Sequence, residues 1–328
     1  MGHCYLYRFY LCYLVNLSFC YGTVFGIGQK SESTYIKQFI MNSKNIKRSL
    51  ILFVAAAAMV FQGFRSMTPQ PEEKMYGLQL YSVRDHMKND PSGTVAKVGA
   101  MGYTFVEAAG YSDGKFYGMD PLEFKKLCED NGLKFLGSHT GQNLPSKENW
   151  DETMAWWDEA IDAHAKAGVK WIVQPWMDQV GYKSLDGLKK YIEYFNAVGE
   201  KCKAKGIYFG YHNHDQEFKT EFEGKPVQDW MLELTDPDKV MFQLDLYWIN
   251  QGGKSALDYF DRYPGRFMLW HIKDHKELGE SGKMDFAPIF AAKKKAGMKY
   301  GIVEVEEYNF DPLVSVEKSL EYLKTTNF

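Results

Sequence analysis

From about Met75 onward the chain alternates between two hydrophobic patterns. Short apolar runs are followed by polar loops, and these by longer stretches in which apolar residues recur three and four positions apart. The first pattern predicts buried parallel strands and the second amphipathic helices. Glycine leads into Gly77-Leu-Gln-Leu-Tyr81, Gly102-Tyr-Thr-Phe-Val-Glu107, Gly132-Leu-Lys-Phe-Leu-Gly137, Gly168-Val-Lys-Trp-Ile-Val173, Gly206-Ile-Tyr-Phe-Gly210 and Gly297-Met-Lys-Tyr-Gly-Ile-Val303. Most of these glycines follow a helical pattern, where a left-handed C-cap is wanted. Two further runs, Val240-Met-Phe-Gln-Leu-Asp245 and Phe267-Met-Leu-Trp-His271, follow Asp-Pro-Asp and Tyr-Pro-Gly turns.

Helix starts are marked by Asp90-Pro91 and Asp120-Pro121, an N-cap followed by a first-turn proline, while Ser184, Ser255 and Asp285 are expected to cap later helices. Leu188, Tyr191, Ile192 and Phe195 form a core-facing stripe, and Trp156 and Trp157 are read as core on the preceding helix. His164, near a helix end, is expected to be solvated and helped by the helix dipole. Eight strand-helix units predict a single-domain closed (β/α)₈ TIM barrel. The runner-up is an open doubly wound sheet, disfavoured because Tyr81-Ser-Val-Arg84 stands where a Gly-rich phosphate loop would follow the first strand.

The barrel is assigned to residues 76–328, preceded by a linker at 67–75 with two prolines and two glutamates. Residues 41–66 read as a signal peptide: Lys44, Lys47 and Arg48 precede an apolar run from Leu50 to Phe61 too short for a comfortable membrane span. That predicts export, periplasmic or extracellular, without stable membrane insertion after cleavage. Residues 1–40 fit neither role and read as a doubtful extension ahead of a true start at Met41. Beyond the signal only Cys128 and Cys202 remain, both on predicted helices, so they read as buried thiols without a disulfide framework. A formal charge of −3 over 328 residues leaves no basic excess, which argues against nucleic acid and for a small-molecule partner.

Chemistry gathers at the strand ends. Ile207 to Phe218 runs from an apolar strand straight into His212, Asn213, His214, Asp215 and Glu217. Glu107, His139, Gln174, Asp245, His271 with Lys273 and Asp274, and Glu304 with Glu306 end other strands. In a (β/α)₈ barrel this is where catalytic groups sit. Imidazole nitrogen mixed with carboxylate oxygen suits one divalent transition ion, Mn, Co, Zn or Fe, with Asp245, His271 and Glu304 on three adjacent strands the central donors.

Val106-Glu107, Gly137-Ser-His139, Tyr211-His-Asn-His-Asp215, Phe242-Gln-Leu-Asp245-Leu-Tyr-Trp248, Trp270-His271-Ile-Lys-Asp274 and Val303-Glu304 resemble the xylose isomerase-like barrel superfamily, the sugar phosphate isomerase/epimerase group. The resemblance runs from about Met75 to the end. It implies an ion held by Glu, Asp, His and Glu of strands five to eight, the last three falling on Asp245, His271 and Glu304. The fifth-strand Glu is missing; His212 stands there, so either His212 is the fourth ligand or Glu217 reaches in from the loop. The resemblance further implies an enzyme, a divalent-metal-dependent sugar isomerase or epimerase working through an enediolate. The His-rich fifth strand keeps a lyase or dehydratase acting on a keto-sugar or 3-keto-glycoside as the alternative, and a non-catalytic sugar-binding barrel as a third reading. The expected roles are His139 and His214 as acid and base, with Glu304 paired to that chemistry, Lys273 on substrate oxygens, and Glu107 orienting a hydroxyl or ligand. Trp176, Tyr247 and Trp248 would wall the sugar. A homo-oligomer is compatible with the resemblance, although no stripe singles out a pairing face.

Overall fold

The computed structural model describes Met41 and residues 75–326. The N-terminal extension, the signal segment beyond Met41 and the linker up to residue 74 lie outside the described residues. Eight parallel strands close on themselves: β1 (Tyr76–Gln79), β2 (Phe105–Ala108), β3 (Lys134–His139), β4 (Trp171–Gln174), β5 (Tyr208–His212), β6 (Val240–Asp245), β7 (Leu269–Ile272) and β8 (Tyr300–Val303). Each pairs with the next, and β8 returns to β1 with Tyr76 opposite Gly301, so the barrel has no free edge. The main intervening helices are α1 (Pro91–Met101), α2 (Pro121–Asp130), α3 (Trp150–Ala167), α4 (Leu185–Ala204), α5 (Val227–Leu234), α6 (Ala256–Arg262), α7 (Phe286–Ala291) and α8 (Pro312–Thr325). Two short antiparallel hairpins, at Tyr111–Phe116 and Glu221–Pro226, follow β2 and β5. No helix among the described residues is long and apolar enough to cross a membrane.

The local signals act as their chemistry requires. Asp90, Asp120, Ser184 and Asp285 accept backbone N–H bonds at their helix starts, and Asp120 completes a capping box with Glu123. Ser255 sits at the start of α6 but makes no capping bond. Gly102, Gly168 and Gly297 hold the left-handed turns that end helices. The stripe Leu188, Tyr191, Ile192 and Phe195 is buried against the sheet, each such side chain contributing roughly 1.5–3 kcal/mol. Cys128 and Cys202 are buried free thiols. His164 departs from expectation: it is wholly buried, its Nδ1–H reaching the Ala160 carbonyl at 2.6 Å and its ring lying against Tyr111 and Phe116. The hairpin after β2 carries those two aromatics over a helix end that would otherwise face water.

Strand periodicity sorts residues between two cores. Phe105, Trp171, Val173, Met241, Leu269 and Ile302 form an apolar plug inside the barrel, separate from the larger core between sheet and helices. Because successive side chains alternate faces, the inward positions continue two residues on as Glu107, Gln243, His271 and Glu304, and from Gln243 to Asp245. The plug thus gives way to polar groups toward the C-terminal ends. Between β2 and β3 the register jumps, Val106 facing Phe135 and Glu107 facing Gly137, a bulge that re-aims β3. Gly137 is obligatory there: a Cβ would fall 1.8 Å from Trp171 Nε1.

Candidate metal centre

His212 ends β5, Asp245 ends β6, His271 lies on β7 and Glu304 follows β8. Register places Asp245 opposite His271 and Gln243 opposite His212. One ligand atom from each of His212, Asp245, His271 and Glu304 falls within 4.8 Å of the others, and all four residues are buried. Asp245 Oδ1 accepts the Trp248 N–H at 2.7 Å, capping the short helix after β6, and the Asp245 N–H donates to Asn213 Oδ1 at 3.1 Å. Oδ2 of Asp245 is buried with no hydrogen-bond partner. Burial pushes its carboxyl up to about 7 despite the nearby Lys273 ammonium. An orphaned oxygen of this kind is costly unless a cation satisfies it. Two imidazoles, two carboxylates and one unclaimed oxygen form a donor set that fits a divalent transition ion.

Around His271, Nε2 lies 2.8 Å from Glu107 Oε2 and Nδ1 lies 3.1 Å from Glu304 Oε2. Burial opposes a charge on this ring, but Glu304 and Glu107 outweigh it and push its pKa up to about 10. The two-sided grip suits a ligand whose Nδ1 would face the ion while its Nε2–H is anchored on a carboxylate. Burial also works against ionising Glu304, yet Lys273 and His271 hold its carboxyl well below the usual range. Lys273 Nζ is 3.1 Å from Glu304 Oε2, also bonds Glu306, and lies over the Trp248 ring.

Glu107, expected to meet a substrate hydroxyl or a ligand, is wholly buried at the floor. Its oxygens accept from Gln79 Nε2 (2.9 Å), Trp171 Nε1 (2.6 Å), Gln243 Nε2 (3.0 and 3.1 Å) and His271. Its imidazole contacts are with the candidate ligand His271 and, at 3.3 Å, with His139 Nε2, and no oxygen is left for a substrate hydroxyl. Glu217 does not reach the cluster: Oε1 takes the hydroxyls of Tyr182 (2.5 Å) and Tyr211 (2.6 Å), and Oε2 takes the His214 N–H (2.8 Å). Between the two expected candidates for the fourth ligand, only His212 joins the group.

Above the cluster opens a cavity of about 290 Å³ lined by Tyr81, Ala109, His139, Pro175, Trp176, His212, His214, Glu304 and Glu306. His139 stacks on His271 with ring centres 5.1 Å apart, and burial lowers its pKa. The His214 ring packs between His212 and Trp248. Trp176 is 40% exposed at the mouth, its Nε1–H donating to Asn143 Oδ1 at 3.0 Å. Lys273, Tyr247 and Trp248 are not part of that lining, and the Tyr247 hydroxyl pairs with His275 at 3.3 Å. Sequence reading missed Gln243, Gln79 and Tyr81. Period-two alternation back from Asp245 would have found Gln243.

The xylose isomerase-like TIM barrel family matches residues 95–326. This chain belongs to that family. A sugar phosphate isomerase/epimerase structure from Parabacteroides distasonis ATCC 8503 is 34% identical to this chain and superposes with a TM-score of 0.72, covering 77% of this chain and 98% of the other. The inosose dehydratase of Lacticaseibacillus casei is 24% identical over 260 residues, 66% of this chain and 86% of that enzyme. D-psicose 3-epimerase from Clostridium cellulolyticum H10 shares the xylose isomerase-like fold at 15% identity, with a TM-score of 0.59 and coverage of 76% and 98%.

Proposed function

We propose that this barrel is a divalent-metal-dependent isomerase or epimerase of a sugar or keto-sugar. The observation that carries the reading is the convergence of His212, Asp245, His271 and Glu304, one Asp245 oxygen unclaimed, beneath a cavity with His139 and His214 in its walls. A Mn, Co, Zn or Fe ion held there supplies Lewis-acid polarisation of a substrate carbonyl and its neighbouring hydroxyl. His139 and His214 remove and return the proton at the carbon beside the carbonyl, so that an enediolate forms and collapses within the cavity. Lys273 fixes the orientation of Glu304 and Glu306 and offsets their charge. Trp176 presents an exposed indole to an apolar sugar face at the mouth.

A second reading, a lyase or dehydratase on a keto-sugar or 3-keto-glycoside, is favoured by two features. An imidazole stands where the resemblance implies a fifth-strand Glu, and the chain is similar to an inosose dehydratase. Proton NMR of the metal-loaded protein in D₂O with ketoses, aldoses, inososes and 3-keto-glycosides separates the readings. Exchange of an α proton with the skeleton retained supports isomerase or epimerase chemistry, whereas loss of water or aglycone moves the function to a lyase. Absence of both, with metal bound, points to a sugar-binding barrel. We also propose that the protein is exported on a cleaved signal at residues 41–66; N-terminal sequencing of the natural protein tests the cleavage, and a chain that still carries Leu50 to Phe61 refutes it.

A further inference from the structure

Gln243 is wholly buried between the floor carboxylate and two imidazoles. Its Nε2 lies 3.0 and 3.1 Å from the two oxygens of Glu107. Its Oε1 lies 2.7 Å from His139 Nε2 and 3.1 Å from His212 Nδ1. A carboxylate only accepts, so the amide edge facing Glu107 must be the NH₂, and reversing the amide would set oxygen against oxygen. The carbonyl edge therefore faces the histidines, and a carbonyl also only accepts. Both ring atoms that touch it must carry hydrogen.

We infer that Gln243 is a positioning residue that locks His212 as the Nδ1–H tautomer and His139 as the Nε2–H tautomer. In His212 this leaves the Nε2 lone pair for the cluster with Asp245, His271 and Glu304. In His139 it leaves Nδ1 as the ring's single acceptor. A histidine side chain in water prefers the Nε2–H form, so His212 is held in the minor tautomer, and without the lock a proton sits on the atom the ion needs. Glu107 sets the direction of the whole relay: Gln79, Trp171 and His271 hold it in place, and it in turn orients Gln243. One buried carboxylate thus specifies the proton position on three imidazoles. The inference rests on the metal-site reading only in taking His212 as a ligand.

The test uses the full chain labelled with ¹⁵N-histidine, first metal-free. Long-range ¹H–¹⁵N spectra distinguish a protonated from a bare ring nitrogen. The wild-type protein is expected to show N–H at Nδ1 of His212 and at Nε2 of His139, with the other nitrogen of each bare. In Gln243→Met, which keeps the length but removes the acceptor, His212 shifts toward the Nε2–H form. Zn²⁺ affinity, read by competition with a chromophoric chelator, then falls 10–100-fold, the usual effect of removing a group behind a ligand. A wild-type spectrum with the proton on Nε2 of His212 overturns the inference, and needs no variant. So does a folded Gln243→Met protein whose tautomers are unchanged, or one whose tautomers shift while Zn²⁺ affinity does not. If no sugar is turned over but the tautomers and Zn²⁺ affinity respond to Gln243→Met, the catalytic reading fails and this one stands.

Discussion

Asp245 and His164 are both buried polar residues, and they predict opposite things. Asp245 keeps one oxygen without a partner, as a waiting ligand does. Asp245→Asn is expected to weaken Zn²⁺ binding by at least about 100-fold, above the range typical of groups behind a ligand. Chelator competition reads it, and unchanged affinity would remove Asp245 from the site. His164 has partners, the Ala160 carbonyl and, at 3.4 Å, Thr140. Burial pushes its pKa down to about 4. Unfolded, the same ring protonates near pH 6.5. Between those values the unfolded chain binds the extra proton, so stability falls as pH drops from about 6.5 to 4, by on the order of 3 kcal/mol. His164→Gln should flatten that segment of the stability-against-pH curve; parallel curves for the two proteins would show that His164 is not the titrating group. The sequence placed His164 at a helix end and so near solvent. The covering hairpin is a tertiary event that helical spacing does not report.

At the scale of single elements, local chemistry was legible to different depths. Ser184 and Ser255 look alike in sequence, yet only Ser184 accepts a backbone N–H, from Gly187 at 3.1 Å. Ser184→Ala should cost about 1 kcal/mol in urea denaturation, and Ser255→Ala should stay within about 0.5 kcal/mol. Equal losses would mean that the capping bond is not what stabilises α4. Gly137 carries a different constraint. Gly137→Ala must displace the Trp171 indole and break its bond to Glu107, with an expected loss of about 1–3 kcal/mol. The strand ends announced His212, Asp245, His271 and Glu304 because apolar runs stop at them. Gln243 sits inside an apolar run, and only alternation counted back from Asp245 marks it as inward-facing.

For the molecule as a whole, the four donors come from four consecutive strands of a closed barrel, so an ion bound there links β5 to β8. Free Zn²⁺ at 100 times its dissociation constant should stabilise the folded chain by about 2.7 kcal/mol. Thermal scans with and without chelator should then differ by several degrees, and identical midpoints would argue against a bound ion. The eight-unit alternation, the caps, the left-handed glycines and the polar strand ends were all written locally, because periods of two and 3.6 residues and the cost of an unpaired end act within a few positions. Barrel architecture and a candidate donor set followed from the sequence for that reason. What only the tertiary structure decided is which groups meet across the barrel. Glu107 on β2 bonds His271 on β7, 164 residues away, so its oxygens are taken up within the barrel floor. Glu217, five residues after His212, turns instead to two tyrosines. Those pairings depend on closure, strand register and the bulge between β2 and β3, which set distances between residues far apart in the chain and leave no trace in the spacing of any one segment.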